Sequence, residues 1–382
     1  MLQSQRATLI DAYIESHPEA NLHIRQPMEL AGQRTDTAVY RLPINLLNYS
    51  IRNGRFAAEL LEEEATLRRK IVENPEDLAI IRRLLLEQNK AETEALKRSL
   101  RQVGQLYPGV VTHDGYVING NRRMAVLEKL YEEEHLPKYQ YLEVARLPSA
   151  VDQKDLWRIE AGIQLSKEDR LEYGPVNERL KLREGINAGL DQAEISKALF
   201  GRFSEKQVNE RLKELELIEE YLEYIEQPRQ YRIVEGRTQS FVDMQAGKEA
   251  LELMDKDSDE IFAYVSMGFE MIKNESSHWD IRDLNKIFRN GGDPANSIIT
   301  FFSSQELRSG KITTAKAVEV FETAQEVYDA EQDAKRPLKL VKKALNTLQP
   351  LKAGDVSLQD PETKEALTRL WQRVYKLFNA SK

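Results

Sequence analysis

The stretch from Gly104 to Leu127, GQLYPGVVTHDGYVINGNRRMAVL, constrains this chain most, because it packs a turn, two short strands and a helix start into one unit. Leu106 to Thr112 reads as a strand carrying the β-branched Val110, Val111 and Thr112, and His113-Asp114-Gly115 reads as a turn. Tyr116-Val117-Ile118 is then the return strand, and Ala125, Val126, Leu127 and Leu130 set one helical face behind it. The strand hands over to the helix through Gly120, Asn121, Arg122 and Arg123. A helix N-terminus presents unpaired N–H groups and the positive end of the helix dipole, and glycine lets an anion approach the backbone. With two arginines beside it, the turn reads either as a phosphate site or as a plain helix start capped by Asn121, with both arginines solvated.

The flanking segments add to this. Upstream, Tyr40-Arg41-Leu42-Pro43-Ile44-Asn45 reads as an opening strand, Ile51-Arg52-Asn53-Gly54-Arg55 as an arginine-ended loop, and Glu94 to Leu100 as a helix that stops before Gly104. Downstream, Arg158-Ile159-Glu160-Ala161-Gly162-Ile163-Gln164 is followed by Arg170-Leu171. In this order the elements resemble the N-terminal domain of the ParB family, within the ParB and sulfiredoxin-like superfamily. Gly120 to Arg123 stands where that family has G-E-R-R, and the segment around Glu160 is similar to a degraded E-N-x-Q-R-x-x-L.

The resemblance implies a nucleoside triphosphate, CTP or ATP, with magnesium. Gly120, Arg122 and Arg123 would hold phosphate, Gly104 and Pro108 would border the base, and Arg55 would close the site. Glu160 would be the magnesium-binding or water-orienting carboxylate, since Mg²⁺ takes oxygen ligands and often only one or two from protein. Asn121 occupies the place of the family glutamate, and the downstream Asn and Arg are missing. These departures bear on hydrolysis and on the closing switch more than on binding.

A chain of 382 residues has room for two or three domains. It contains no cysteine, which removes disulfides, thiolate metal sites and thiol nucleophiles, and with them redox chemistry of the superfamily type. The histidines show no H-x-x-x-H spacing, and neither a G-x-x-x-x-G-K-[ST] loop nor a G-x-S-x-G elbow occurs. No apolar run approaches the ~18 residues needed to span a bilayer, and the N-terminal residues lack a signal core, so a soluble cytoplasmic protein is expected. A net charge of −8 argues against broad nonspecific coating of DNA.

The expected fold class is α+β. Residues 1–39 read as a helical extension and 40–150 as a small mixed α/β domain with a helical-hairpin insertion at 56–92. Residues 151–226 read as helices and 227–382 as an all-α region in which Trp279 is a core anchor. Within 151–226, Gln192–Leu199 and Glu205–Leu217 have helix-turn-helix character, with Ser204 as N-cap. This pair resembles the central DNA-binding domain of the same family, and Lys206, Gln207, Asn209 and Arg211 would reach phosphates or base edges. The near balance of acidic and basic residues there suits an ordinary helical pair equally well.

Three function classes stay open at this point. One is a ParB-type nucleotide-dependent DNA-binding protein acting in partition, plasmid or phage regulation, or defence. Another is an enzyme on the same domain, a nuclease or nucleoside triphosphatase. The third is an interaction protein with a decayed ligand site that works through its C-terminal helices, as a homodimer or with a protein partner.

Overall fold

A computed structural model describes residues 3–30, 33–51, 54–165, 174–303, 313–352 and 354–380. The chain divides into two compact units, 1–282 and 283–382. It is mixed α/β and mostly helical, with one small sheet near the N-terminus.

The sheet in the first unit has six strands: β1 (Asn21–Leu30), β2 (Gln33–Pro43), β3 (Asn48–Tyr49), β4 (Gly109–Val111), β5 (Tyr116–Asn119) and β6 (Tyr141–Arg146). Their order is β1-β2-β6-β4-β5-β3, with β3–β5 and β4–β6 parallel and the other pairs antiparallel. Thr112 closes the β4–β5 turn, accepting the Gly115 N–H at its carbonyl and the Tyr116 N–H at Oγ1. Gly115 has φ +84°, and a Cβ there would stand 2.8 Å from Ile10 and 2.9 Å from the Leu46 carbonyl, so only glycine fits this tip.

The N-terminal extension is not purely helical. α1 (Gln3–Ser16) forms, but β1 follows it and β2 begins at Gln33, well before Tyr40. Pro27 reads against a strand, and in the sheet β1 is an edge strand, where a missing N–H disrupts no second ladder.

The strands alternate their side chains between two apolar layers. On one face Leu42, Val111, Val117, Leu142 and Val144 pack under α3 (Pro75–Glu87), α4 (Lys90–Gln102) and α5 (Asn121–Glu134). On the other, Val39, Val110, Ile118 and Ala145 meet Ile159 of α6 (Gln153–Leu165). Each fully buried Leu or Val contributes about 1.5–3 kcal/mol.

α2 (Ala57–Leu67) and α3 form the expected helical hairpin. Asp77 holds its connection, accepting from Arg69 at 2.7 and 2.8 Å, from the Val72 N–H at 2.8 Å and from Asn74 at 3.1 Å. These bonds, with Arg69 first, hold its carboxyl well below the usual carboxylate range. A carboxyl lowered in the folded state contributes stability that is present above its unfolded pKa of ~3.9 and lost as pH falls through the folded value. Melting temperature should therefore fall more steeply below about pH 4 in the wild type than in Asp77→Asn. Parallel curves would show that Asp77 is not the linked group.

Among the described residues no strand follows Arg146. α7 (Pro175–Asn187), α8 (Gln192–Ala198) and α9 (Glu205–Tyr224) pack with α6 around Trp157, Ile195, Leu199, Phe203 and Val208. Asp191 and Ser204 cap α8 and α9 with reciprocal capping boxes. α10 (Thr238–Leu253) and α11 (Ser258–Lys273) follow, and α12 (His278–Asn290) carries the boundary between the units. Trp279 is not a core anchor: it is 61% exposed, with the Arg282 guanidinium 4.6 Å from its ring centroid.

The second unit contains α13 (Asp293–Ser303), α14 (Thr314–Leu348) and α15 (Pro361–Ala380). α13 packs against α14, which buries Ala317, Phe321 and Ala324. No helix among the described residues is long and apolar enough to cross a membrane.

Candidate functional site

At the end of β5, Gly120 takes φ +112° and its carbonyl accepts the Met124 N–H at 2.9 Å, the bond that opens α5. A Cβ on Gly120 would meet nothing closer than 3.5 Å, so the left-handed backbone, not space, calls for glycine here. The nearest atom to that position is the Gly109 Cα, which brings the start of β4 against the turn.

From this turn the three following side chains diverge. Asn121 is buried and does not cap the helix: its Nδ2 donates to the Val117 carbonyl at 2.6 Å, and its Oδ1 accepts the Ser50 N–H at 3.3 Å. Arg122 is 7% exposed and turns toward α3 and α4, donating to the Leu85 carbonyl at 3.3 Å and to Gln88 at 2.9 Å. Glu92 lies 3.4 Å from the same guanidinium. Arg122 is thus a strut between α5 and the α3–α4 corner, turned from the side where a phosphate ligand was expected. Arg123 takes the opposite course and donates to the Tyr107 carbonyl.

Arg123 therefore faces the segment Gly104–Pro108 that leads out of α4. Gly104 has φ +75°, and Leu106 and Tyr107 are 67% and 66% exposed. Of the expected phosphate and base group, Arg123 reaches the Tyr107 carbonyl beside Pro108 and Gly120 lies against Gly109, whereas Arg122 turns toward α3 and α4. The side chain of Arg55 lies outside the described residues, as do Arg170 and Leu171.

On the other side of the turn, Glu160 is 4% exposed. Its Oε1 accepts the Gly54 N–H at 3.0 Å and its Oε2 accepts from the Lys181 ammonium at 2.6 Å. Both oxygens of this residue, expected as the magnesium or water-orienting carboxylate, are engaged within the fold. Among the described residues no group of three or more His, Asp or Glu is placed to hold a metal ion. Lys181 is fully buried and also donates to Glu184 at 2.9 Å. Burial pushes its ammonium pKa down, but the two carboxylates outweigh that, and the net direction is up.

Lys181 and Asn177, whose contacts join the elements around the turn, were not singled out by the sequence. Lys181 sits in PVNERLKLREGIN, where a lysine reads as solvated surface. Asn177, in the same helix, accepts the Ala58 N–H at 2.8 Å and donates to Glu59 at 3.3 Å. Together Asn121, Glu160 and Asn177 grip the backbone at Ser50, Gly54 and Ala58. They fasten the connection from β3 to α2 onto both the sheet and the helices α6 and α7.

Beside this connection lies a cleft of about 660 Å³ with Leu60, Ile118, Leu156 and Leu180 among its apolar lining. Among the described residues Glu73, Asp114, Glu160, Glu184 and Arg183 also line it; Lys181 pairs with Glu160 and Glu184, and Arg183 with Glu219.

The four residues expected to reach DNA from α9 also separate. Lys206 is 85% exposed and Asn209 is exposed. Gln207 instead accepts the Ser204 N–H at 2.9 Å to complete the capping box. Arg211 donates to Glu178 at 2.9 Å and lies 4.1 Å over the Phe203 ring. Lys206, which lies 3.5 Å from Glu210 one turn on, and Asn209 are both exposed on the first turns of α9. Comparison of the sequence with models of known protein families and with curated proteins returns no match.

Proposed function

We propose that this chain is a ParB-like, nucleotide-dependent DNA-binding protein that takes CTP or ATP, with magnesium, at the β5–α5 turn and duplex DNA through the first turns of α9. The observation that carries the reading is the turn itself: a strand ends, Gly120 adopts a left-handed backbone, a helix begins, and Arg123 stands on its accessible side. A phosphate would replace the neutral Tyr107 carbonyl by a charge-assisted partner, a stronger acceptor for a guanidinium. The α8–α9 pair, with Ser204 capping the second helix and Lys206 and Asn209 exposed on it, supports the DNA part. The commitment of Glu160 to Lys181 favours binding over hydrolysis.

One observation favours the competing reading of a protein-interaction module: Arg122 and Glu160 are both spent inside the fold. Calorimetry with CTP, ATP and GTP in the presence of magnesium, with and without duplex DNA, separates the two. The expected result is one triphosphate binding well below ~1 mM, and a duplex affinity that depends on that nucleotide and falls with salt. If no triphosphate binds below millimolar, the phosphate reading fails and the interaction module stands.

A further inference from the structure

The turn from α8 into α9 closes by two backbone bonds: the Gly201 N–H donates to the Ser196 carbonyl and the Phe200 N–H to the Lys197 carbonyl, both at 3.0 Å. In this arrangement the residue after the helix cap takes a left-handed backbone, a place that suits glycine. Here it is Phe200, with φ +54°. A bulky side chain is strained in that region, and burial would be the ordinary compensation. Phe200 gains little of it, being 71% exposed. One ring edge comes near Gly162 of α6, where an added Cβ would stand 3.5 Å from Phe200 Cε2. The turn thus holds an aromatic side chain at the surface, at a position where glycine would be less strained.

Its surroundings are basic. Residues 197–206, KALFGRFSEK, carry Lys197, Arg202 and Lys206 against Glu205, in a chain of net charge −8. All three cations are exposed. Arg202 lies 3.9 Å from Glu178, which Arg211 engages more closely at 2.9 Å, and Lys206 lies 3.5 Å from Glu210 in an exposed pair that contributes little. Such contacts exchange readily for phosphate. Among the described residues between Leu136 and Tyr224, no other large apolar side chain is exposed. A protein-binding patch gathers several apolar side chains at its centre, which this turn does not. A single aromatic face among cations fits a nucleobase instead, with the neighbouring phosphates on the cations.

We propose that Phe200 is a stacking platform for an unpaired base, with Lys197, Arg202 and Lys206 on the flanking phosphates, so that the α8–α9 turn takes single-stranded DNA. In a duplex each base face is covered by its neighbours, so a base on Phe200 has left the stack. The inference rests on the reading of α8 and α9 as a DNA-binding pair, and it is independent of the triphosphate.

Fluorescence anisotropy of the full chain with labelled oligothymidylate, and with a mixed-sequence duplex, tests it. Phe200→Ala should weaken oligothymidylate binding about tenfold, the loss expected for one stacked base, with the salt dependence unchanged because no phosphate contact is removed. Phe200→Trp should bind like the wild type. Replacing Lys197 and Arg202 together by Gln should instead flatten the salt dependence. Phe200→Gly should lose the same affinity as Phe200→Ala while its melting temperature stays level or rises, since glycine suits φ +54°. A purely structural Phe200 would give the opposite pair of results, a lower melting temperature with affinity unchanged, and would overturn the proposal. Duplex binding without oligothymidylate binding overturns the stacking and leaves the DNA reading in place; binding to neither removes both.

Discussion

Arg123→Ala is expected to weaken triphosphate binding about tenfold or more with little change in melting temperature, whereas Arg122→Ala is expected to destabilise the first unit by about 2–3 kcal/mol. The two arginines are neighbours in sequence but about 100° apart around α5, so one turns inward and the other toward the Gly104–Pro108 segment. The Arg122 guanidinium bonds the Leu85 carbonyl in the last turn of α3, where intrahelical donors run out. Leu85 is 1% exposed, so truncating Arg122 leaves that carbonyl without water to replace the lost donor. The bond to Gln88 and the packing of the alkyl stem are lost with it. Arg123 has no comparable burial, and a guanidinium–phosphate bond contributes about 1.5–3 kcal/mol, hence the tenfold figure. Thermal melting and calorimetry of both variants decide the matter. If Arg122→Ala melts like the wild type, the strut account is wrong; if Arg123→Ala binds triphosphate unchanged, the turn is not the phosphate site.

This pair also shows where sequence reading reaches its limit. The β4–β5–α5 unit was legible in order, though β4 spans only Gly109–Val111 of the expected Leu106–Thr112: β-branched residues in β4, a turn at Asp114-Gly115, a glycine before the helix and a helical apolar face behind it all agreed. β1 was not, because Pro27 speaks against a strand everywhere except at an edge, and edge position is a property of the assembled sheet. Which of two adjacent arginines is buried depends on where α3 and α4 arrive, and nothing local to Asn121-Arg122-Arg123 encodes that. Trp279 fails for a related reason: a large apolar side chain at the start of a helix suggests core, yet it is 61% exposed, with its ring against Arg282 and His278. On α9 the capping box engages Gln207 and a carboxylate on α7 engages Arg211, contacts that helix position alone does not encode.

Lys181→Met should be the most destabilising single change in the first unit, at about 3–5 kcal/mol, because it strands the Glu160 carboxylate in a site that is 4% exposed. The amine is bonded to Oε2 of Glu160 at 2.6 Å, and Glu160 in turn fixes the Gly54 N–H. The loss should therefore reach the connection between β3 and α2 and not stay at the ion pair. Adding Glu160→Gln to Lys181→Met should recover much of the stability, since removing both charges leaves nothing uncompensated, and the double-mutant cycle isolates their coupling. The pH dependence has a definite sign. A lysine raised in the folded state contributes stability that is fully present below its unfolded pKa of ~10.4 and lost only as pH rises through the higher folded value. Urea unfolding of wild type and Lys181→Met should accordingly give the same difference at pH 6 and pH 9, with convergence only in stronger alkali. A difference under about 1 kcal/mol at neutral pH would mean that the carboxylate finds water or another donor, and that the grip on Gly54 does not depend on Lys181.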